Sequence, residues 1–300
     1  MYFSETVESW QDWGRIYQSI PTFEPLVKEI FRREGLPWEP LSPLTPGTNG
    51  VFRCGNLVVK VFYPKEAGEN PALDFSTETA ACHQALAWGI PCPDLVTQGT
   101  IQDRYIFYYL ITSYIPGKEA GTWLETASSS ERARFVETLK TILGNLHRPA
   151  EGPFPPGDLK AQALENPRLQ KLPTSLREEI LLRVKNMDLG QLVLTHGDVT
   201  GENILIRENG ALAFLAWADA RLAPPWYELG PLAFELLQGE PSLWRLFAGE
   251  NRLVFLSGLL NCLCLHPFGP DFLEKMAAQT GKGLFCSLND VEQTLLERMM

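Results

Sequence analysis

Residues 195–206 read THGDVTGENILI, so that His196, Asp198 and Asn203 fall in the pattern His-x-Asp-x-x-x-x-Asn. The pattern lies in a turn between two apolar runs, which places a carboxylate and an amide close together. In such a turn the carboxylate can take the proton of an attacking hydroxyl, and the amide can bind a magnesium ion. This spacing is typical of the catalytic loop of enzymes that transfer a phosphoryl group.

Elements upstream of this loop have the order that phosphoryl transfer from a nucleotide requires. Lys60 lies in the predicted strand 58–62, in the position of a lysine that pairs with the α- and β-phosphates, and Glu78 in the next predicted helix could hold it as an ion pair. A turn before the first of two predicted strands could cover the phosphates with its backbone N–H groups; it runs from Thr45 through Pro46 to Gly47, Thr48, Asn49 and Gly50. Each feature alone is weak, and their order gives them weight.

A second metal ligand is missing downstream of the loop. Such enzymes carry an aspartate at the end of the next strand, thirteen residues past Asn203, and this chain has Ala216 there, in the run LAFLAWADA. An alanine methyl cannot coordinate a cation. The sequence therefore predicts a phosphotransferase with an incomplete metal site.

Composition agrees with a globular chain and excludes some classes of partner. The chain has 300 residues with 45% hydrophobic and 21% charged content, enough for a sizeable core and for two lobes. A net charge of -10 disfavours nucleic acid and anionic membrane as partners. The most apolar stretch, 253–265, is too short to span a bilayer, and residues 1–10 lack a signal-peptide pattern. We therefore expect a cytoplasmic protein; its oligomeric state stays open.

The secondary-structure pattern predicts an α+β fold with two lobes. Residues 1–116 read as a β-rich lobe with a leading helix at 22–35, strands near 51–53, 57–62, 95–99 and 105–114, and one helix at 75–88. Residues 117–300 read as a larger, mainly helical lobe with helices at 131–146, 176–187, 227–237, 243–265 and 288–300. Short strands at 192–195, 204–207 and 211–215 surround the catalytic loop.

The runs LTHGDVTGENILI and LAFLAWADARLAPPWYELG together resemble the paired motifs of the aminoglycoside phosphotransferase and choline kinase superfamily. The runs PGTNGVFRCGNLVVKVF, ETAACHQALAWGIPCP, YYLITSYIPG and ILGNLH are similar to further parts of that superfamily, so the resemblance covers most of the chain. It implies a two-lobed fold like that of protein kinases, with a nucleotide-binding lobe at 1–116 and the catalytic loop and acceptor site in 117–300. It also implies ATP or GTP and Mg²⁺ as cofactors.

The resemblance implies a role for each matching position. Asp198 would be the catalytic base, His196 would brace the loop, and Asn203 would bind the metal. Lys60 and Glu78 would hold the nucleotide phosphates under the turn 47–50. The hinge would meet the adenine through backbone groups of Ser113, Tyr114 and Ile115.

The chain departs from the superfamily at Ala216, where the second metal-binding aspartate is expected. Three explanations stay open: an aspartate replaced by alanine to trap a substrate complex, a natural pseudokinase that binds without transferring a phosphoryl group, or rescue by another carboxylate such as Asp219 or Glu202. Asp219 itself corresponds to the residue three positions after the missing ligand.

The expected function is phosphorylation of a hydroxyl on a small molecule, a natural product such as an antibiotic, or a peptide. Two acceptor types stay open. An acidic lining would suit an amine-bearing antibiotic, with Glu228 and Asp219 among the candidates and further carboxylates at Glu235, Asp271 and Glu274. An aromatic lining would suit a hydrophobic acceptor, with Trp226, Trp244 and Phe268.

Overall fold

The structure is a computed structural model that describes residues 1–45, 47–154, 158–281 and 283–300. The chain divides into two compact units. The first contains Met1–Pro116 together with Ala213–Ala218, and the second contains Gly117–Leu212 and Asp219–Met300. The expected lobes differ from these units in one respect, because residues 213–218 cluster with the first unit.

The first unit is built on a five-stranded antiparallel sheet. Its strands are β1 (Leu41–Pro43), β2 (Gly50–Cys54), β3 (Leu57–Val61), β4 (Leu95–Gln102) and β5 (Ile106–Ser113), in the spatial order β1-β2-β3-β5-β4. Its helices are α1 (Trp10–Ile16), α2 (Ile20–Glu34) and α3 (Pro71–Ala87), with a short 3₁₀ turn at Lys65–Ala67. The register pairs Val51 with Lys60 and Lys60 with Leu110.

Alternation along β2 and β3 gives the sheet two different faces. Phe52, Val59 and Val61 are fully buried and belong to one core with residues of α1 and α2, such as Trp13 and Phe23. The intervening side chains of β2 and β3 point to the other face and are half-buried. That second face carries Lys60.

The second unit is mostly helical. Its helices are α4 (Ala120–Thr126), α5 (Ser129–Leu146), α6 (Leu159–Leu164), α7 (Thr174–Asn186), α8 (Leu229–Pro231), α9 (Pro241–Ala248), α10 (Arg252–Leu265), α11 (Gly269–Thr280) and α12 (Leu288–Met299). Its strands are β6 (Lys118–Glu119), β7 (Val193–Thr195), β8 (Ile204–Ile206) and β10 (Arg221–Ala223), with antiparallel pairs β6–β8 and β7–β10. Short 3₁₀ turns lie at Pro167–Lys171 and Pro225–Glu228, and a π-helical turn at Leu232–Leu236 follows α8. Strand β9 (Leu212–Phe214) and the 3₁₀ turn Trp217–Asp219 span the unit boundary.

These elements confirm the α+β fold class, with a β-rich first unit and a mainly helical second one. Some helix bounds differ from the sequence-based expectation. The single helix expected at 243–265 is two helices, because Gly249 adopts φ 56° and ψ −128°, a conformation that ends α9. Helices α1, α4, α6 and α11 were not expected.

Among the residues that the structure describes, no helix combines the length and the apolar character that a membrane span requires.

Candidate active site

In the first unit, Lys60 and Glu78 form a close ion pair. Lys60 Nζ lies 2.6 Å from Glu78 Oε2, and the two side chains are 14% and 6% exposed. Strand β3 supplies the lysine and helix α3 supplies the glutamate, eighteen residues later. Held in this way, the Lys60 side chain has a fixed direction, which would suit contact with a phosphate group.

The turn 47–50 leads into β2, which begins at Gly50, ten residues before Lys60 in the sequence. Pro46 lies outside the described residues. Asn49 is 2% exposed, and its side-chain oxygen accepts a hydrogen bond from the Tyr63 N–H at 3.2 Å. The turn is therefore tied to the chain that follows β3, and its conformation is fixed by side-chain contacts.

The predicted hinge residues Ser113, Tyr114 and Ile115 are half-buried at the end of β5. The N–H groups of Ser113 and Tyr114 donate to the carbonyl oxygens of Asp94 and Asn56, each at 2.9 Å. These two donors are therefore already used within the first unit. A nucleotide base would have to use the hinge carbonyl oxygens or the N–H of Ile115.

In the second unit, the predicted catalytic loop, residues 196–203, runs between β7 and β8 and brings Asp198 and Asn203 together. Asn203 Nδ2 donates to Asp198 Oδ2 at 2.7 Å and to the Asp198 carbonyl oxygen at 3.0 Å. Burial raises the pKa of Asp198 above its usual range, as does the negative charge of Asp219, while His196 and the hydrogen bond from Asn203 act in the opposite direction. A carboxylate with a raised pKa is a better proton acceptor for a hydroxyl.

Glu228 holds the start of this loop from within the protein. Its Oε1 accepts hydrogen bonds from the backbone N–H groups of His196 and, at 3.1 Å, Gly197. Its Oε2 lies 2.6 Å from His147 Nε2, and only 1% of the residue is exposed. Burial alone would raise the pKa of Glu228, but His147, His196 and the Gly197 N–H outweigh it and lower the pKa.

This arrangement corrects the expectation that Glu228 lines an acceptor pocket. A carboxylate that is buried and bonded at both oxygens has no surface to offer a substrate. Sequence reasoning missed the bracing role because the partners lie 81 and 32 residues away in the chain. The available signal was a glutamate within an apolar run, since a buried charge needs partners.

Gly197 lies in the most crowded part of the loop. Its φ is 84°, and a Cβ at this position would overlap the carbonyl group of Asp219. His266 also contacts the Gly197 backbone by a hydrogen bond. His196 is fully buried beneath the loop. The loop geometry therefore depends on a glycine directly after the histidine.

Ala216 has an unusual backbone conformation. Its φ is 57°, in the left-handed region, and of the described residues only Gln238 is another non-glycine with a positive φ. Left-handed backbone strains alanine, whereas aspartate and asparagine adopt it more readily. Position 216 thus has the backbone of a residue with a short polar side chain, although it carries a methyl group.

The donors available for a magnesium ion are few. Within the described part of the chain, no group of three or more His, Cys, Asp or Glu side chains could hold a metal ion. Because the amide nitrogen of Asn203 is bonded to Asp198, its oxygen is the atom left to act as a ligand. These donors fit a Mg²⁺ ion that takes most of its ligands from nucleotide phosphates and water, as this ion commonly does.

The remaining acceptor candidates are scattered over the second unit. Asp219 is exposed, and Trp226 is half-buried beside Gly258 of α10. Trp244 is fully buried in the core, so the structure contradicts a role for it in an acceptor lining. The carboxylates of Glu235 and Asp271 are ion-paired with Lys275 and Arg168.

The two units have the secondary-structure elements of the protein-kinase-like phosphotransferase fold. The profile of the Phosphotransferase enzyme family matches residues 48–250, more than half of the chain, and the chain belongs to that family.

Solved structures with the same fold include aminoglycoside phosphotransferases. Aminoglycoside phosphotransferase APH(2'')-Ib bound to ADP has a TM-score of 0.60 at 16% identity, with 92% of this chain and 98% of that chain covered. The GDP and kanamycin complex of APH(2'')-IIIa has a TM-score of 0.63 at 14% identity, with the same two shares. APH(3'')-Id from Streptomyces rimosus, bound to ADP and streptomycin, has a TM-score of 0.51 at 20% identity, again with 92% and 98% covered. At these identities the likeness establishes the fold alone.

Proposed function

We propose that this protein is built to transfer the γ-phosphoryl group of ATP or GTP to a hydroxyl of a small molecule, with Asp198 as the catalytic base. The observation that carries the proposal is the Asp198–Asn203 pair, in which the amide nitrogen is 2.7 Å from a carboxylate whose pKa is raised. The Asn203 bond fixes the carboxylate in one orientation. A hydroxyl placed against Asp198 would lose its proton to the carboxylate as the new P–O bond forms, while the bond from the γ-phosphorus to the bridging oxygen breaks and ADP or GDP leaves.

Lys60, fixed by Glu78, would bind the α- and β-phosphates, and the N–H groups of the turn 47–50 would cover them. The hinge at 113–115 would meet the base. Mg²⁺ would neutralise the charge on the transferring phosphoryl group, with Asn203 as the protein ligand. Support for these roles comes from the geometry of the 2.6 Å ion pair and from the family.

Membership of the family indicates the class of the acceptor and leaves the particular compound undecided. The structural relatives named above include complexes with kanamycin and streptomycin, which are amine-bearing small molecules. The exposed carboxylate of Asp219 could contact such an amine, and the half-buried Trp226 could pack against an apolar part of an acceptor. We therefore propose a polar, hydroxyl-bearing natural product or a peptide hydroxyl as the acceptor.

A second candidate function is favoured by Ala216. Without a carboxylate at this position, the protein would bind nucleotide and transfer the phosphoryl group slowly or not at all. Loss of about 4 kcal/mol of charge stabilisation corresponds to a rate lower by roughly a thousandfold. Asp219 offers a third route, since its charge already acts on Asp198 and its carboxylate could take over part of the ligand role.

The test compares four proteins: the parent, Ala216→Asp, Ala216→Asp with Asp198→Asn, and Asp219→Asn. Nucleotide affinity is measured by calorimetry with Mg²⁺, and transfer is measured by mass spectrometry across a panel of hydroxyl compounds. We expect transfer with Ala216→Asp and none once Asp198 is replaced.

Each other outcome has a defined meaning. Nucleotide binding without transfer in any variant would favour the second candidate. Activity in the parent that disappears in Asp219→Asn would show rescue by Asp219. Absence of nucleotide binding in the parent and in Ala216→Asp would overturn both candidates.

A further inference from the structure

The N-terminal segment of the chain is part of the first unit's core. Phe3 and Trp13 are 0% and 1% exposed, and both rings pack in edge-to-face geometry against Phe23 of α2. The N–H groups of Tyr2 and Phe3 donate to Asp103 Oδ2 at 2.8 and 2.7 Å. These contacts hold helix α1 in place independently of the turn 47–50.

Two side chains of this segment reach the turn 47–50. The indole N–H of Trp13 donates to the carbonyl oxygen of Thr48 at 2.8 Å. The side-chain amide of Gln18 donates to the carbonyl oxygen of Asn49 at 3.0 Å. Successive carbonyl groups of the turn are thus bound by donors that lie 35 and 31 residues earlier in the chain.

Close packing accompanies these hydrogen bonds. A Cβ on Gly50 would lie 3.1 Å from the Tyr17 carbonyl oxygen and 3.3 Å from the Phe23 ring. The end of α1 therefore approaches the turn at a distance that glycine accommodates best. The Tyr63 N–H also donates to the Asn49 side chain, so the turn is held both by the N-terminal segment and by the chain that follows β3.

The bond from Trp13 to the Thr48 carbonyl also determines the direction of the next N–H group in the turn. In a trans peptide the C=O and the following N–H point in opposite directions, and the described chain contains no cis peptide bond. Because the Thr48 carbonyl points to Trp13, the N–H of Asn49 points away from α1. Asn49 is itself only 2% exposed, so the N–H groups that the fixed turn can offer to a phosphate oxygen are those of its exposed residues, Gly47 and Thr48.

We propose that residues 13–18 act as a clamp on the phosphate-covering turn, with Trp13 and Gln18 as positioning residues that hold its exposed residues, Gly47 and Thr48, where their N–H groups can meet the phosphates of a bound nucleotide. This inference rests on the proposed function for the identity of the ligand. The clamp itself is a property of the first unit and exists without a nucleotide. Nucleotide affinity then depends on an N-terminal segment that contacts no phosphate.

The test removes the two donors while keeping an aromatic side chain at position 13 and an unbranched side chain at position 18. Trp13→Phe removes the indole N–H, Gln18→Met removes the amide, and the double variant removes both. The matched control is Gln11→Met, because Gln11 is exposed on the same helix. Affinity for ADP with Mg²⁺ is measured by calorimetry, and hydrogen exchange is followed in peptides that cover residues 47–50.

Loss of both donors should weaken ADP binding about tenfold, as two neutral hydrogen bonds of ordinary strength would. Exchange at 47–50 should become faster without nucleotide, and Gln11→Met should match the parent in both measurements. A purely structural role would lower the melting temperature of the double variant while the folded protein bound ADP normally. That result, or unchanged exchange at 47–50, would overturn the clamp.

The single variant Gln18→Met keeps the test valid where the double variant does not fold, since Gln18 is half-buried and lies outside the helices. If the parent itself binds no nucleotide, the proposed function fails. The exchange comparison then still decides whether the clamp exists.

Discussion

His147 Nε2 lies 2.6 Å from Glu228 Oε2, and the other oxygen of this carboxylate holds the backbone of the catalytic loop. The bond links the end of α5 to the residue before α8, 81 positions later. Because Glu228 is almost completely buried, its charge needs these partners for stabilisation. The loop that carries Asp198 therefore depends on a carboxylate that does not take part in chemistry.

Replacement of Glu228 by glutamine should destabilise the protein strongly. Glutamine removes the charge and leaves one acceptor oxygen in place of two, so the free energy of unfolding should fall by about 2 to 4 kcal/mol. Urea denaturation followed by circular dichroism measures the change. Glu235→Gln is the control, because its exposed ion pair with Lys275 should contribute less than about 1 kcal/mol. Equal effects of the two variants would contradict the bracing role.

The stability of the protein should fall between pH 6.5 and pH 5 through His266. Burial lowers the pKa of this histidine to about 3, helped by the charge of Arg221 and opposed by its hydrogen bond to Gly197. The unfolded chain takes up a proton near pH 6.5 while the folded protein does not, so stability is complete above that pH and is lost as the pH falls towards 3. The loss should reach up to about 2 kcal/mol at pH 5.

Urea midpoints at pH 7.5 and pH 5 measure this effect. His266→Gln keeps a donor and an acceptor without a titrating group, so its stability should change less between the two pH values. A parent and a variant with the same pH dependence would show that His266 is protonated in the folded protein.

Substitution of Gly197 by alanine should be much more harmful than the same change at Gly210. Both glycines have a positive φ, 84° and 79°, but only a Cβ at 197 would overlap another group, the Asp219 carbonyl. Gly210→Ala should cost about 1 kcal/mol from backbone strain alone. Gly197→Ala should cost about 3 kcal/mol or more, since the loop or Asp219 must move. Thermal denaturation of both variants gives the comparison, and similar melting temperatures would show that the loop tolerates a side chain.

Paired substitutions can separate the structural role of Lys60 from its role with nucleotide. Lys60→Met leaves the Glu78 carboxylate, only 6% exposed, without its cation, so both stability and ADP affinity should fall. Lys60→Met with Glu78→Leu should recover stability but leave ADP affinity about ten to a hundredfold below that of the parent, the usual range for a charged hydrogen bond. Lys65→Met, at an exposed lysine, is the control. Recovery of affinity in the double variant would show that Lys60 does not bind phosphate.

Contacts between site residues could be predicted from the sequence where the two residues lie in one turn or on consecutive elements. Asp198 and Asn203 lie five positions apart in one turn, and Lys60 and Glu78 lie on a strand and the helix that follows it. The contacts that it did not predict connect distant parts of the chain. Glu228 reads as one of several surface carboxylates until its burial is known, and Trp13 gives no sign that its indole N–H will reach the turn 47–50. Such contacts depend on tertiary packing, which a local pattern does not contain.

The backbone at Ala216 provides a test of what this position is shaped for. With φ at 57°, replacement by glycine should raise the free energy of unfolding by about 1 kcal/mol, because glycine adopts the left-handed region without strain. Ala216→Asp should also be tolerated, since aspartate occupies this region more readily than alanine. Ala218→Gly, in the adjacent 3₁₀ turn and without a positive φ, should instead be destabilising.

Denaturant titration of these three variants measures which residue the backbone at position 216 favours. The transfer assay on Ala216→Asp measures whether a carboxylate there supports phosphoryl transfer. Gains in stability at 216 but not at 218 would show that the strand end keeps the conformation of a metal-binding aspartate. If Ala216→Asp lowers stability as much as Ala218→Gly, the position has adapted to alanine, and restoration of the carboxylate should then yield no phosphoryl transfer.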